Sequence, residues 1–209
     1  MSKTQVGIVI FDQVEVLDFC GPFEVFSVAT KPGLETYPET ALYDVHLIAE
    51  TLDPIRTIGG MRVLPSCTFA DHPPFAIIVV PGGYGTRRLE QADSPLVQWI
   101  QNQAECVPLV TSVCTGAFLL AKAGLLAGLP ATTHWANIES LRERYLDLAV
   151  TSTERVVDTG KIITSAGISA GIDMALHVVA RQHGNAAAVQ TARDMEYVSA
   201  LTQSLESDS

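Results

Sequence analysis

Cys114 lies in Ser112-Val113-Cys114-Thr115-Gly116, where an apolar run ends and a helical pattern begins, with small residues two before and two after it. That is the spacing of a nucleophile elbow, a tight strand-to-helix turn that tolerates little bulk at its flanks and lifts the central side chain above the sheet. Backbone N–H groups and the positive end of the helix dipole favour thiolate there, so the expectation is a cysteine nucleophilic near neutral pH. The competing reading is a buried, inert core cysteine, the usual fate of a free thiol.

Other stretches can converge on Cys114, because in an open parallel sheet ligands bind outside the carboxyl ends of the strands. Gly82 and Gly83 follow an apolar run and offer backbone N–H groups suited to a developing negative charge, or they form an ordinary tight turn. Asp18, in Leu17-Asp18-Phe19-Cys20-Gly21-Pro22, is either a helix N-cap or a carboxylic acid that moves protons. His134, in Ala131-Thr132-Thr133-His134-Trp135-Ala136, is either a general base or a structural histidine before a helix. Tyr84 and Trp135 border these segments and are candidates for the substrate pocket, as is Cys20. The four cysteines at 20, 67, 106 and 114 show no C-x-x-C pair and no metal-ligand spacing, so free thiols and no metal site are expected.

The elements that must position these groups read as an alternating α/β chain. Val6 to Phe11, Phe75 to Pro81 and Val107 to Val113 are continuous apolar runs, as in parallel strands buried on both faces. Tyr43 to Ala49 is a further strand, and Ile55 to Ile58 with Met61 to Leu64 flank Gly59-Gly60 as a hairpin. Helices are expected over Asp18 to Ala29, with Pro22 in the first turn, over a polar stretch Ser94 to Glu105, over Thr115 to Ala123 closed by Gly124 and Gly128, and over Ala136 to Tyr145. A charged hairpin at about 154–164 and an Ala-rich helical pair from Ser169 complete the pattern, residues 31–41 read as a surface insertion, and the tail from about 200 to 209 reads as frayed. The fold class is therefore a single α/β domain, a doubly wound, mostly parallel sheet flanked by helices.

The 209 residues fit one domain with a sizeable core. With 23 acidic against 13 basic residues the net charge of −10 repels phosphate backbones and anionic lipid, which argues against nucleic acid and membranes as partners. No apolar run approaches the ~20 residues a spanning helix needs, and the start does not read as a signal peptide, so a cytoplasmic protein is expected. A mean hydropathy of +0.25 suggests apolar surface covered by a second copy, that is, a homodimer.

Pro81-Gly-Gly-Tyr-Gly85, Ser112-Val-Cys-Thr-Gly116, Ala131-Thr-Thr-His-Trp135 and Gly167-Ile-Ser-Ala-Gly-Ile-Asp173 resemble, in order and spacing, the ThiJ/PfpI superfamily, whose fold is flavodoxin-like and related to class I glutamine amidotransferases. Within it, Leu17-Asp18, the Thr after the cysteine and Thr-Thr-His-Trp most resemble the bacterial isocyanide hydratases. The resemblance implies a cofactor-independent homodimeric hydratase of a small electrophile. Cys114 would attack the terminal carbon of R–N≡C, Asp18 would handle the proton and orient water, and Thr115 would help hold the site. PfpI-type peptidases place a His directly after the cysteine, so Thr115 weakens a protease reading, and Cys20 stands where those hydratases carry Thr. The amidase-like domains of AraC-type regulators share much of the pattern, but carry a basic helix-turn-helix region that this acidic chain is not expected to have. A ligand- or oxidant-sensing module, an amidase and a 2-oxoaldehyde hydratase are the alternatives.

Overall fold

The computed structural model describes residues 3–34, 39–91 and 93–198; the expected frayed tail and part of the 31–41 insertion lie outside them. Strand β1 (Thr4–Val9) leads through a turn into helix α1 (Val16–Val28), followed by β2 (Tyr43–Ala49). The two-residue strands β3 (Ile55–Arg56), β4 (Arg62–Val63) and β5 (Cys67–Thr68) precede β6 (Ile77–Val80). Helices α2 (Gly85–Gln91) and α3 (Pro95–Cys106), strand β7 (Leu109–Val113) and helix α4 (Gly116–Lys122) come next. The short β8 (Pro130–Ala131) is followed by a 3₁₀ turn, α5 (Ile138–Arg144), β9 (Ala149–Val150), β10 (Val156–Asp158), β11 (Ile162–Ser165), α6 (Ala170–His183) and α7 (Asn185–Asp194).

The main sheet has the order β10-β11-β7-β6-β1-β2-β5, parallel except for the hairpin strand β10. Every residue of β6, β7 and β11 is buried, which is why these strands lack the polar alternation of a half-exposed sheet. Helices α1, α6 and α7 pack together, as do α2, α3 and α4. Fully buried Ile8, Ile77, Ile78, Leu119, Leu120 and Ile163 tie these elements into one core, each side chain contributing about 1.5–3 kcal/mol by its removal from water.

Registry brings the site together. Val80 pairs with Ser112 and Val113 with Ser165, so the chain leaves β6, β7 and β11 at the same level. Gly82, Cys114 and Ile168 therefore follow neighbouring strands at the carboxyl end of the sheet.

Several expectations shift. Helix α1 begins at Val16, capped by the Glu15 carboxylate, which accepts the Val16 N–H at 3.1 Å. Asp18 is consequently inside the helix and is not its N-cap. Pro22 lies mid-helix, where its missing N–H leaves the Asp18 carbonyl without the usual i+4 donor; the ring is buried and faces Gly171 of α6. Helix α3 is amphipathic rather than polar, burying Leu96, Val97, Trp99, Ile100 and Ala104. The polar α2 has no apolar periodicity and β5 is two residues long, so neither left a signal.

Candidate active site

Cys114 has φ +57°, a left-handed conformation rare for a side-chain-bearing residue, and it directs the chain from β7 into α4. Its N–H donates to the carbonyls of Ser165 and Ala166 at 3.2 and 3.0 Å, and its own carbonyl accepts the Thr133 hydroxyl at 2.7 Å. The turn needs Gly116, because a Cβ there would collide with the Val80 carbonyl. Strain of this kind concentrates where function requires it.

Asp18 is fully buried behind the cysteine. Its Oδ2 accepts the Gly82 N–H at 2.9 Å, while Oδ1 is buried without a hydrogen bond; the Cys114 thiol and the Ile168 amide are the other polar neighbours of the carboxyl. Burial pushes the carboxyl up to about 7, the Gly82 hydrogen bond pulls it back, and the nearby Glu15 charge adds to the rise. The thiol moves the same way. Burial, and next the Asp18 carboxylate beside it, push Cys114 up to about 12 against the pull of the Thr115 and Ile168 amides. The expected free thiolate is thus corrected: desolvation outweighs the amides and the dipole of a seven-residue helix, and at neutral pH the sulfur keeps its proton beside a carboxylate able to take it.

The role expected of Gly82 and Gly83 changes too. Their N–H groups are already engaged, Gly82 by Asp18 and Gly83 by the Thr115 hydroxyl at 3.0 Å, so neither is free to hold a substrate anion. The amides that face the sulfur are those of Thr115 and Ile168. The Thr86 hydroxyl, which donates to the Gly83 carbonyl at 2.7 Å, also lies 3.2 Å from Thr115 Oγ1, clamping the elbow to the Gly82-Gly83 turn and to α2.

A cavity of about 240 Å³ opens over Cys114, with Thr115 and Gly83 beside it and Ile58 and Ile168 as apolar walls. Tyr84 and His134 line it. His134 Nδ1 accepts the Ala136 N–H at 3.3 Å, so this nitrogen caps the 3₁₀ turn and the ring presents Nε2–H, a donor rather than a base. Trp135 and Cys20 do not line the cavity; Trp135 is 80 % exposed and Cys20 is half-buried in α1. Sequence reasoning missed Ile168, a β-branched residue at φ +52°, together with Thr133, Arg87 and Asn137. The small-residue run around Gly167 was the available signal for Ile168, since a Cβ at 167 would strike the His134 ring. Among the described residues no group of three His, Cys, Asp or Glu side chains could hold a metal ion, and no helix is long and apolar enough to cross a membrane.

A strained cysteine between strand and helix, backed by a buried carboxylate, is matched at the level of sequence. The DJ-1/PfpI family profile covers residues 4–181. The chain belongs to the DJ-1/PfpI family. Among its curated relatives is the isonitrile hydratase of Pseudomonas putida, 37 % identical over a 201-residue alignment that covers 94 % of this chain and 79 % of that one. The HTH-type transcriptional regulator GbdR of Pseudomonas aeruginosa is 27 % identical over 88 % of this chain, which spans only about half (48 %) of the regulator's length. The crystal structure of a ThiJ/PfpI family protein from Pseudomonas syringae superimposes with a TM-score of 0.82 at 27 % identity, covering 95 % of this chain and 77 % of that one.

Proposed function

We propose that this DJ-1/PfpI protein is a cofactor-independent, cysteine-dependent hydratase that adds water to an isocyanide, R–N≡C, and releases the formamide R–NH–CHO. The observation that carries the reading is the Asp18–Cys114 pair, a buried carboxyl held near 7 against a protonated thiol beneath an open cavity. A base with a pKa close to the working pH is the one best suited to take a proton and return it.

Asp18 Oδ1 accepts the thiol proton as Cys114 Sγ attacks the terminal carbon. That proton passes to the same carbon, giving the thioimidate R–N=CH–S–Cys114. Asp18 then takes a proton from water as the oxygen adds to this carbon and passes it to the nitrogen; the tetrahedral adduct R–NH–CH(OH)–S–Cys114 expels the sulfur, and its hydroxyl proton returns to the thiol as the formamide C=O forms. Thr115 and Ile168 present amides to the sulfur, and the Thr115 hydroxyl holds the Gly83 turn in place. Covalent attack divides one difficult hydration into two easier steps. Identity to the isonitrile hydratase over most of both chains supports the same chemistry.

The protein works as a cytoplasmic homodimer in this reading, with exposed Leu17, Met61 and Leu64 as apolar surface for a second copy. The test is the ultraviolet change on mixing the protein with para-nitrophenyl isocyanide. Turnover abolished by both Cys114→Ala and Asp18→Asn is expected; turnover that survives Cys114→Ala would sink the proposal.

Similarity to GbdR favours a second reading, a ligand- or oxidant-sensing module. The raised thiol weighs against the oxidant version, since thiolate is the oxidised species. Selective oxidation of Cys114 by dilute peroxide, without isocyanide turnover, would favour it.

A further inference from the structure

Of the residues that line the cavity, only Glu15 and Arg87 carry formal charges. They are not equivalent. The Glu15 carboxylate accepts the Val16 N–H at the N-terminus of its own 13-residue helix, a position where the helix dipole favours a negative charge, although that charge is still felt at Asp18. The Arg87 guanidinium makes no ion pair and no hydrogen bond among the described residues, although the chain carries 23 acidic side chains against 13 basic ones. Its backbone is held firmly. The preceding Thr86 donates both its N–H, at 3.2 Å, and its hydroxyl, at 2.7 Å, to the Gly83 carbonyl, so Arg87 is fixed to the turn that abuts Cys114.

Around this cation the lining supplies neutral donors, namely Tyr84, Asn137 and the Nε2–H of His134, while Ile58 and Ile168 are apolar. A cavity of about 240 Å³ lined by the thiol, by apolar Ile58 and Ile168 and by an unpaired guanidinium among hydrogen-bond donors complements a small aliphatic molecule that carries both a reactive group and an anion. Arg87 is not needed to stabilise charge at the sulfur, which the Thr115 and Ile168 amides already face.

We propose that Arg87 is a specificity residue that binds a carboxylate on the substrate, so that the preferred substrates are anionic isocyanides, short isocyano acids, rather than neutral ones. This rests on the hydratase reading for the reacting end alone; the anion subsite is a property of the cavity. An unpaired guanidinium is the side chain best shaped for a carboxylate, which it grips through two parallel N–H donors.

Isocyanoacetate and its methyl ester differ only at the far end, so the ratio of their kcat/KM values reads the subsite directly. Arg87 is exposed, so the acid is expected to be preferred by about two- to fivefold, the range of a solvent-exposed ion pair. Arg87→Gln is expected to bring the ratio close to one, with the loss in KM, and Arg87→Lys to keep part of the preference. Equal kcat/KM for acid and ester in the wild type, or an Arg87→Gln loss of the same size on both, overturns the proposal. Calorimetric binding of N-formylglycine and its methyl ester to Cys114→Ala, with and without Arg87→Gln, separates the two readings. Tighter binding of the acid that vanishes with Arg87→Gln upholds the subsite even if neither isocyanide turns over, a result that would sink the hydratase reading alone. Indifference of the binding to Arg87 overturns the subsite.

Discussion

The Thr133 hydroxyl donates a 2.7 Å hydrogen bond to the carbonyl of Cys114, so the strained backbone of the nucleophile is held by a segment that follows its own helix in the chain. Both residues are buried, and the carbonyl would otherwise lose this partner without gaining water. Thr133→Val leaves the carbonyl only the longer 3.4 Å bond from the Ala117 N–H and is expected to destabilise the fold by about 0.5–1.5 kcal/mol, the net worth of one hydrogen bond, and to depress turnover by misplacing the sulfur. Thr133→Ser should restore both. Denaturant titration alongside isocyanide turnover measures the two effects.

Asp18 sets the pH response. In the unfolded chain its pKa is near 3.8, and in the folded protein burial raises it to about 7. The folded state therefore binds the proton more tightly, so the contribution of protonated Asp18 to stability is fully present below about 4 and is lost as pH rises through about 7. Asp18→Asn is expected to be more stable than wild type at pH 8 by a few kcal/mol while losing activity, a comparison read from melting curves at pH 5 and pH 8. Greater destabilisation of Asp18→Asn at pH 8 than at pH 5 would contradict this account.

Turnover in the wild type should rise with pH through about 7, because only ionised Asp18 accepts the thiol proton. The thiol, pushed up to about 12, contributes no limb in the neutral range. A kcat/KM profile flat from pH 5.5 to 8.5 would show that Asp18 is not the base.

Thiol reagents should find another cysteine first. Cys106 is exposed at the end of α3, whereas Cys114 is 7 % exposed and protonated, and burial raises Cys20 and Cys67 as well. With a bulky aromatic disulfide at pH 7 the fast phase is expected to vanish in Cys106→Ser and to persist in Cys114→Ser. A small isocyanide that enters the cavity should show the reverse dependence.

Gly82 is required by space. A Cβ there would stand 2.5 Å from Thr115 Oγ1 and 2.9 Å from Asp18 Oδ2. Gly82→Ala is expected to cost about 1–3 kcal/mol by overpacking and to remove most turnover by moving the base away from the thiol. Unfolding and kinetic measurements on this one variant test both.

Much of this protein is written locally. Val107 to Val113 reads as a buried strand because its side chains are apolar on both faces, and Ser112 to Gly116 reads as an elbow because only small flanks allow the turn, which Gly116 against the Val80 carbonyl bears out. Asp18 and Cys114 were legible as reactive types, along with the order of the elements and the family pattern. What only the tertiary structure decided is their state. Whether Cys114 is thiolate or thiol depends on how much water the fold removes and on a carboxylate 96 residues away in the chain, and neither is a local property. The same holds for Gly82 and Gly83, whose amides turn inward to Asp18 and Thr115, and for Arg87, on a helix with no periodic signal. Backbone amides and desolvation act through space, and strand registry sets the distances over which they act.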